Sequence, residues 1–159
     1  MKYYNHKKHN QNNGINTADI SNQLHQHLAN RARLQQEQDR LWNEVRRGYI
    51  RTAEMSKVDK KIGENTYAID KLIGKLISLR CRSGKAYSMA VSYLKSEIAR
   101  NQRIIASWEQ KIRDVQCGRS RWIRPNGETD RDCSFAYRYV ANKKNKTAQT
   151  QRCLSQLIA

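Results

Sequence analysis

Arg119, Arg121, Trp122 and Arg124 fall within six residues, and Arg138, Lys143, Lys144 and Lys146 follow a short way on. Guanidinium forks pair bidentately with phosphate, and a tryptophan on an exposed loop can stack on a base. These eight residues read as a nucleic-acid contact surface made of a loop and the helix after it. From residue 118 to the C-terminus, nine Lys and Arg stand against three Asp and Glu. The bland alternative is a Trp122 packed onto the protein among solvated Arg side chains, since surface charge alone is a weak signal.

Other chemistries find little support. His25 and His27 lie two apart, on different faces of a helix, and His6 and His9 belong to a polar N-terminal stretch. Cys81, Cys117, Cys133 and Cys153 lack the paired spacing of a zinc site, so neither a metal nor another cofactor is expected. Glu54, Glu64, Asp70 and Glu97 alternate with Lys and Arg at helical spacing, as solvated faces do. There is no nucleophile motif, no phosphate-cradling glycine loop and no Cys/His dyad, so enzymatic activity is not expected.

The whole chain shares the charge. It carries 31 Lys and Arg against 14 Asp and Glu, a net charge of +17 in 159 residues. Such a surface attracts polyanions. Nucleic acid ranks first as partner, DNA ahead of RNA. An anionic membrane surface ranks second and an acidic protein third. No run of 18 apolar residues exists to span a bilayer. The first fourteen residues lack the apolar core of an export signal, and the scattered cysteines suit a reducing compartment, so the cytoplasm is the expected location.

The elements that must position the basic cluster are helical. One Pro, seven Gly and one Phe argue against a sheet protein. Met55, Val58, Ile62, Asn65, Ile69, Leu72, Leu76 and Leu79 recur at steps of three and four. After Ser83-Gly84 the pattern resumes with Tyr87, Val91, Leu94, Ile98, Asn101, Ile105, Trp108 and Ile112. This is a heptad seam. Folding the segment at Ser83-Gly84 brings Asn65 level with Asn101, a pair that would set the register of an antiparallel hairpin over 52–117.

Around that hairpin the pattern places a helix at 16–47, capped by Asn16 and ended by Gly48, and another at 132–158, capped by Thr129 or Asp130. The first has a thin stripe of Ile20, Leu24, Leu28, Leu34, Leu41 and Val45, broken by His27, Arg31 and Gln38. The last has a stripe of Cys133, Tyr137, Val140, Lys144, Thr147, Gln151, Leu154 and Ile158. Trp42 and Trp108 fit core positions. Gly63 and Gly74, three turns apart, point to close approach of a neighbouring helix. Residues 118–131 read as a loop or a two-stranded finger turning at Pro125-Asn126-Gly127. Residues 1–14 read as a disordered basic arm, with Lys2, Lys7 and Lys8 available to phosphate.

The expected fold is all-α: a long antiparallel coiled-coil hairpin with two flanking helices, an irregular four-helix bundle forming one domain over 15–159. The expected function is that of a non-enzymatic nucleic-acid-binding accessory or regulatory protein. The main rival is a regulator or inhibitor whose hairpin engages an acidic protein, and a third reading is a homo-oligomer joined through the hairpin.

Overall fold

The structure, a computed structural model, describes residues 6–46, 52–124 and 126–159, with side chains described over 17–41, 53–124 and 126–159. The fold is all-α: α1 (His6–Arg46), α2 (Thr52–Ser78), α3 (Lys85–Gln116) and α4 (Ser134–Ile158). A two-stranded finger, β1 (Trp122–Ile123) and β2 (Thr129–Asp130), separates α3 from α4. The chain divides into two compact units, residues 1–90 and 91–159, with the boundary inside α3. No helix among the described residues is long and apolar enough to cross a membrane.

In the first unit α1 and α2 run antiparallel. His27 meets Asn65, Arg31 meets Thr66 and Gln38 meets Asp59, so residue numbers fall on one helix as they rise on the other. Ile20, Leu24 and Leu41 are buried on α1, and Val58, Ile69, Leu72, Ile73 and Leu76 on α2. The heptad seam of α2 is therefore real, and α1 is hydrogen-bonded along α2. Asn65 Nδ2 donates to the Lys61 carbonyl at 3.0 Å, which turns Oδ1 toward His27 Nδ1 at 3.2 Å.

Three expectations are corrected. The first helix begins at His6 rather than Asn16, so residues 6–14 are helical and not a disordered arm. Helix propagation continues where no proline intervenes, and Gly14 weakens it without stopping it. Gly63 and Gly74 are exposed, and a Cβ at either would meet nothing within 4 Å, so among the described residues no helix approaches closely there. Thr129 and Asp130 lie in β2 rather than capping α4. Residues 1–5, the Gly48 helix stop, the Trp42 side chain and Pro125 lie outside the described residues.

Both long helices of the middle segment end in the same way. At the end of α2, Cys81 N–H reaches the Leu76 carbonyl and Arg80 N–H that of Ile77, with Arg80 at φ 50°. At the end of α3, Arg119 N–H reaches Asp114 and Gly118 N–H reaches Val115, with Gly118 at φ 77°. These are Schellman motifs, which satisfy carbonyls that would otherwise lack a donor. The second uses the residue best suited to a positive φ, and the first does not.

Candidate nucleic-acid interface

The second unit builds its site from α3, the finger and α4. The finger pairs Trp122 with Asp130 and Ile123 with Thr129, antiparallel. Arg124 N–H bonds the Glu128 carbonyl, Gly127 N–H bonds the Arg124 carbonyl, and Gly127 sits at φ 84°. A glycine in the left-handed region at this place lets the strands continue with their native twist. The expected two-stranded finger is present.

Helices α3 and α4 run antiparallel on either side of it. Gln116 Nε2 donates to the Tyr137 hydroxyl, and Lys144 Nζ lies 2.8 Å from Glu109. Between the helices Ile112, Val115, Cys133, Ala136 and Val140 are buried, with Ile105, Trp108 and Trp122 packed onto them. Trp108 stacks on Trp122 with ring centroids 5.6 Å apart and lies 4.4 Å from the Tyr139 ring. Phe135 meets Trp122 edge to face at 4.9 Å. Trp122 Nε1–H donates to Cys133 Sγ at 3.5 Å.

Trp122 thus packs against its neighbours and fastens the finger to the helices. The placement of Trp108 in a core agrees with its position on the heptad pattern. The buried stripe of α4 differs from the expected one by a rotation. Cys133, Val140 and Thr147 are buried as expected, while Ala136 and Leu157 replace Tyr137 and Ile158, each of which is 51% exposed. A heptad stripe can take its second position from either side of the first, and the side holding Ala136 and Leu157 avoids burying Lys144 and Gln151.

Acidic groups organise the entry to α4. Asp132 Oδ1 accepts from the Ser134 N–H and hydroxyl, and these hydrogen bonds hold its carboxyl below the usual carboxylate range. Asp130 is held below that range by the Asp132 N–H and then by Arg124, whose guanidinium pairs with it across the finger. Glu109 is lowered by its hydrogen bond from Lys144.

The eight basic and aromatic residues expected to form one surface therefore divide. Arg124 and Lys144 are ion-paired, and Lys143 is half-buried, with its Nζ over the Tyr139 ring. Arg119, Arg121, Arg138 and Lys146 are exposed and have no acidic partner among the described residues. Sequence reasoning passed over Arg131 and Arg152, which are also exposed on this unit. It also passed over the fact that α4, over its 25 residues, contains no Asp or Glu. Counting acids helix by helix would have found that.

Among the described residues no three His, Cys, Asp or Glu side chains gather as a metal site, and all four cysteines are free thiols. Comparison with protein-family models, curated proteins and solved structures finds no match for this chain.

Proposed function

We propose that the protein is a non-enzymatic nucleic-acid-binding accessory or regulatory protein of the cytoplasm, whose second unit neutralises phosphates through the finger and α4. The observation that carries the reading is α4 itself: five Lys and Arg, no acid, in one 25-residue helix. An ordinary surface helix interleaves both signs for i,i+4 support. A helix of one sign repels itself and is stabilised by a polyanion. Arg119, Arg121 and Arg131 extend the positive surface onto the finger, and four reduced thiols suit the proposed compartment.

The test is a fluorescence-anisotropy titration of the full chain against a labelled duplex of about 25 bp at roughly 100 mM salt. Log affinity is expected to fall with log salt at a slope near −4, which corresponds to about five phosphates. Arg121→Glu with Arg138→Glu should weaken binding to every sequence, because phosphates carry no sequence information. Absence of binding at micromolar protein removes this reading.

A further inference from the structure

The solvent face of α4 has its own period. Arg138, Asn142, Asn145, Gln149, Arg152 and Gln156 follow at alternating steps of four and three, and all six are exposed. Those steps keep them on one stripe of a helix with 3.6 residues per turn. At 1.5 Å per residue the stripe is about 27 Å long. Ala136, Val140, Thr147 and Leu157 are buried, on the opposite side of the helix.

Every side chain of the stripe is an amide or a guanidinium. These are the groups that read base edges, Asn and Gln bidentate to adenine and Arg bidentate to guanine. A stripe serving only solubility would carry Lys and Glu, which are more common on such faces. Lys146 flanks the stripe on one side, where it can reach a phosphate. Ala141, Ala148 and Ser155, seven apart, line the other flank with small side chains, and Tyr137 is the ring on that flank, at its N-terminal end.

The dimensions select the polymer. A helix about 10–12 Å across enters the major groove of B-form DNA, about 12 Å wide, whereas the major groove of an RNA duplex is too narrow for side-chain reading. Single strands are bound by stacking on rings, and the stripe contains none. Phe135, near its start, already lies edge to face against Trp122.

We infer that α4 is a major-groove recognition helix for duplex DNA, with Asn142, Asn145 and Gln149 reading base edges at its centre. The inference rests on the nucleic-acid reading above and sharpens it to sequence-selective binding of DNA.

The experiment presents the full chain with a pool of DNA duplexes of about 25 bp with a randomised centre, sequences the bound fraction, and measures total affinity for the unselected pool by anisotropy. The wild type should enrich a motif of about 4–6 bp. Asn142→Ala, Asn145→Ala and Gln149→Ala should each lower affinity for the enriched duplex roughly tenfold, the loss of one bidentate contact. Affinity for the unselected pool and its salt slope should stay unchanged. All three sites are exposed and alanine is the best helix former, so the fold is retained, as circular dichroism will confirm. Binding without enrichment overturns the inference and leaves phosphate binding standing. Enrichment that survives all three substitutions overturns the assignment to α4. Equal affinity for a single strand or an RNA duplex of the enriched sequence also overturns it. Absence of binding to any pool removes the parent reading as well.

Discussion

The two units carry almost the same charge and use it differently. Residues 1–90 hold 17 Lys and Arg against eight acids, and residues 91–159 hold 14 against six. In the first unit polar side chains serve the helix pair. His27, Arg31 and Gln38 of α1 each hydrogen-bond a residue of α2. In the second unit aromatic rings hold the elements, with Trp108 touching Trp122, Phe135 and Tyr139, and several cations are left to solvent. Net charge therefore says little about where a polyanion would bind. What matters is which cations the fold has already engaged.

If that contrast is right, the two units should break by different substitutions. Trp108→Ala should give the largest effect. It removes three ring contacts beside a buried cluster and should cost about 2–4 kcal/mol in urea unfolding, short of the full value for a completely buried ring. Trp122→Ala should cost less, because it frees the finger while leaving α3 against α4. A loss below about 1 kcal/mol for Trp108→Ala would show that the aliphatic residues alone hold this unit.

The first unit should instead respond to polar substitutions, and in a coupled way. His27→Leu or Asn65→Leu leaves a half-buried partner without its hydrogen bond, at about 1 kcal/mol each. The double substitution should cost less than the two singles together, by about 0.5–1 kcal/mol. Strict additivity would mean that water replaces the contact and that the helix register is set by Leu24, Leu41, Ile69 and Ile73 alone.

How much of this was legible in the sequence follows the same division. The helices, the turn at Ser83-Gly84 and the finger were legible because each is encoded locally, by period, glycine and turn residues. The polar bonds between α1 and α2 were not, because the residues that form them, His27, Arg31 and Gln38, look like interruptions when read along one helix. The basic cluster was legible as a composition. The division of its members was not, because the Arg124–Asp130 and Lys144–Glu109 pairs depend on strand and helix pairing. The stripe from Arg138 to Gln156 is present in the sequence, but its spacing is the same as that of the apolar stripe on the other side of the helix.

Glycine offers a smaller test of the same contrast. Helices α3 and α4 contain no glycine, whereas α2 contains two, each with open space where a Cβ would stand. Gly63→Ala and Gly74→Ala should each stabilise the first unit by about 0.5–1 kcal/mol, by restricting the unfolded chain and restoring helix propensity. Arg80→Gly should add a similar amount by relieving a left-handed residue at the end of α2. A destabilising Gly74→Ala, read in thermal melts, would mean that another surface covers this face in solution.

Acid should have the smallest effect, and it should fall unequally. Glu109, Asp130 and Asp132 in the second unit are held below their ordinary values of 4.5, 3.8 and 3.8, by Lys144, by the Asp132 N–H with Arg124, and by Ser134. In the first unit Glu37 is held below 4.5 by Arg40, its neighbour on the same helix. A carboxylate whose folded value is depressed contributes stability that is fully present above its ordinary value and is lost as pH falls through the depressed one. Melting temperature should therefore be insensitive to these groups above about pH 5 and should decline below 4.5. All four carboxylates reach solvent and are screened by it, so the decline should be shallow and weaker still in high salt. The contacts of Glu109 and Asp130 join separate elements of the second unit, whereas Glu37–Arg40 lies within one turn of α1. Loss of tryptophan fluorescence reporting on Trp108 and Trp122 should thus precede loss of helix signal as pH falls. Glu109→Gln should remove part of that early decline while leaving stability above pH 5 close to that of wild type. Simultaneous loss of both signals, unchanged in the variant, would assign the acid sensitivity to repulsion among the cations of the whole chain instead.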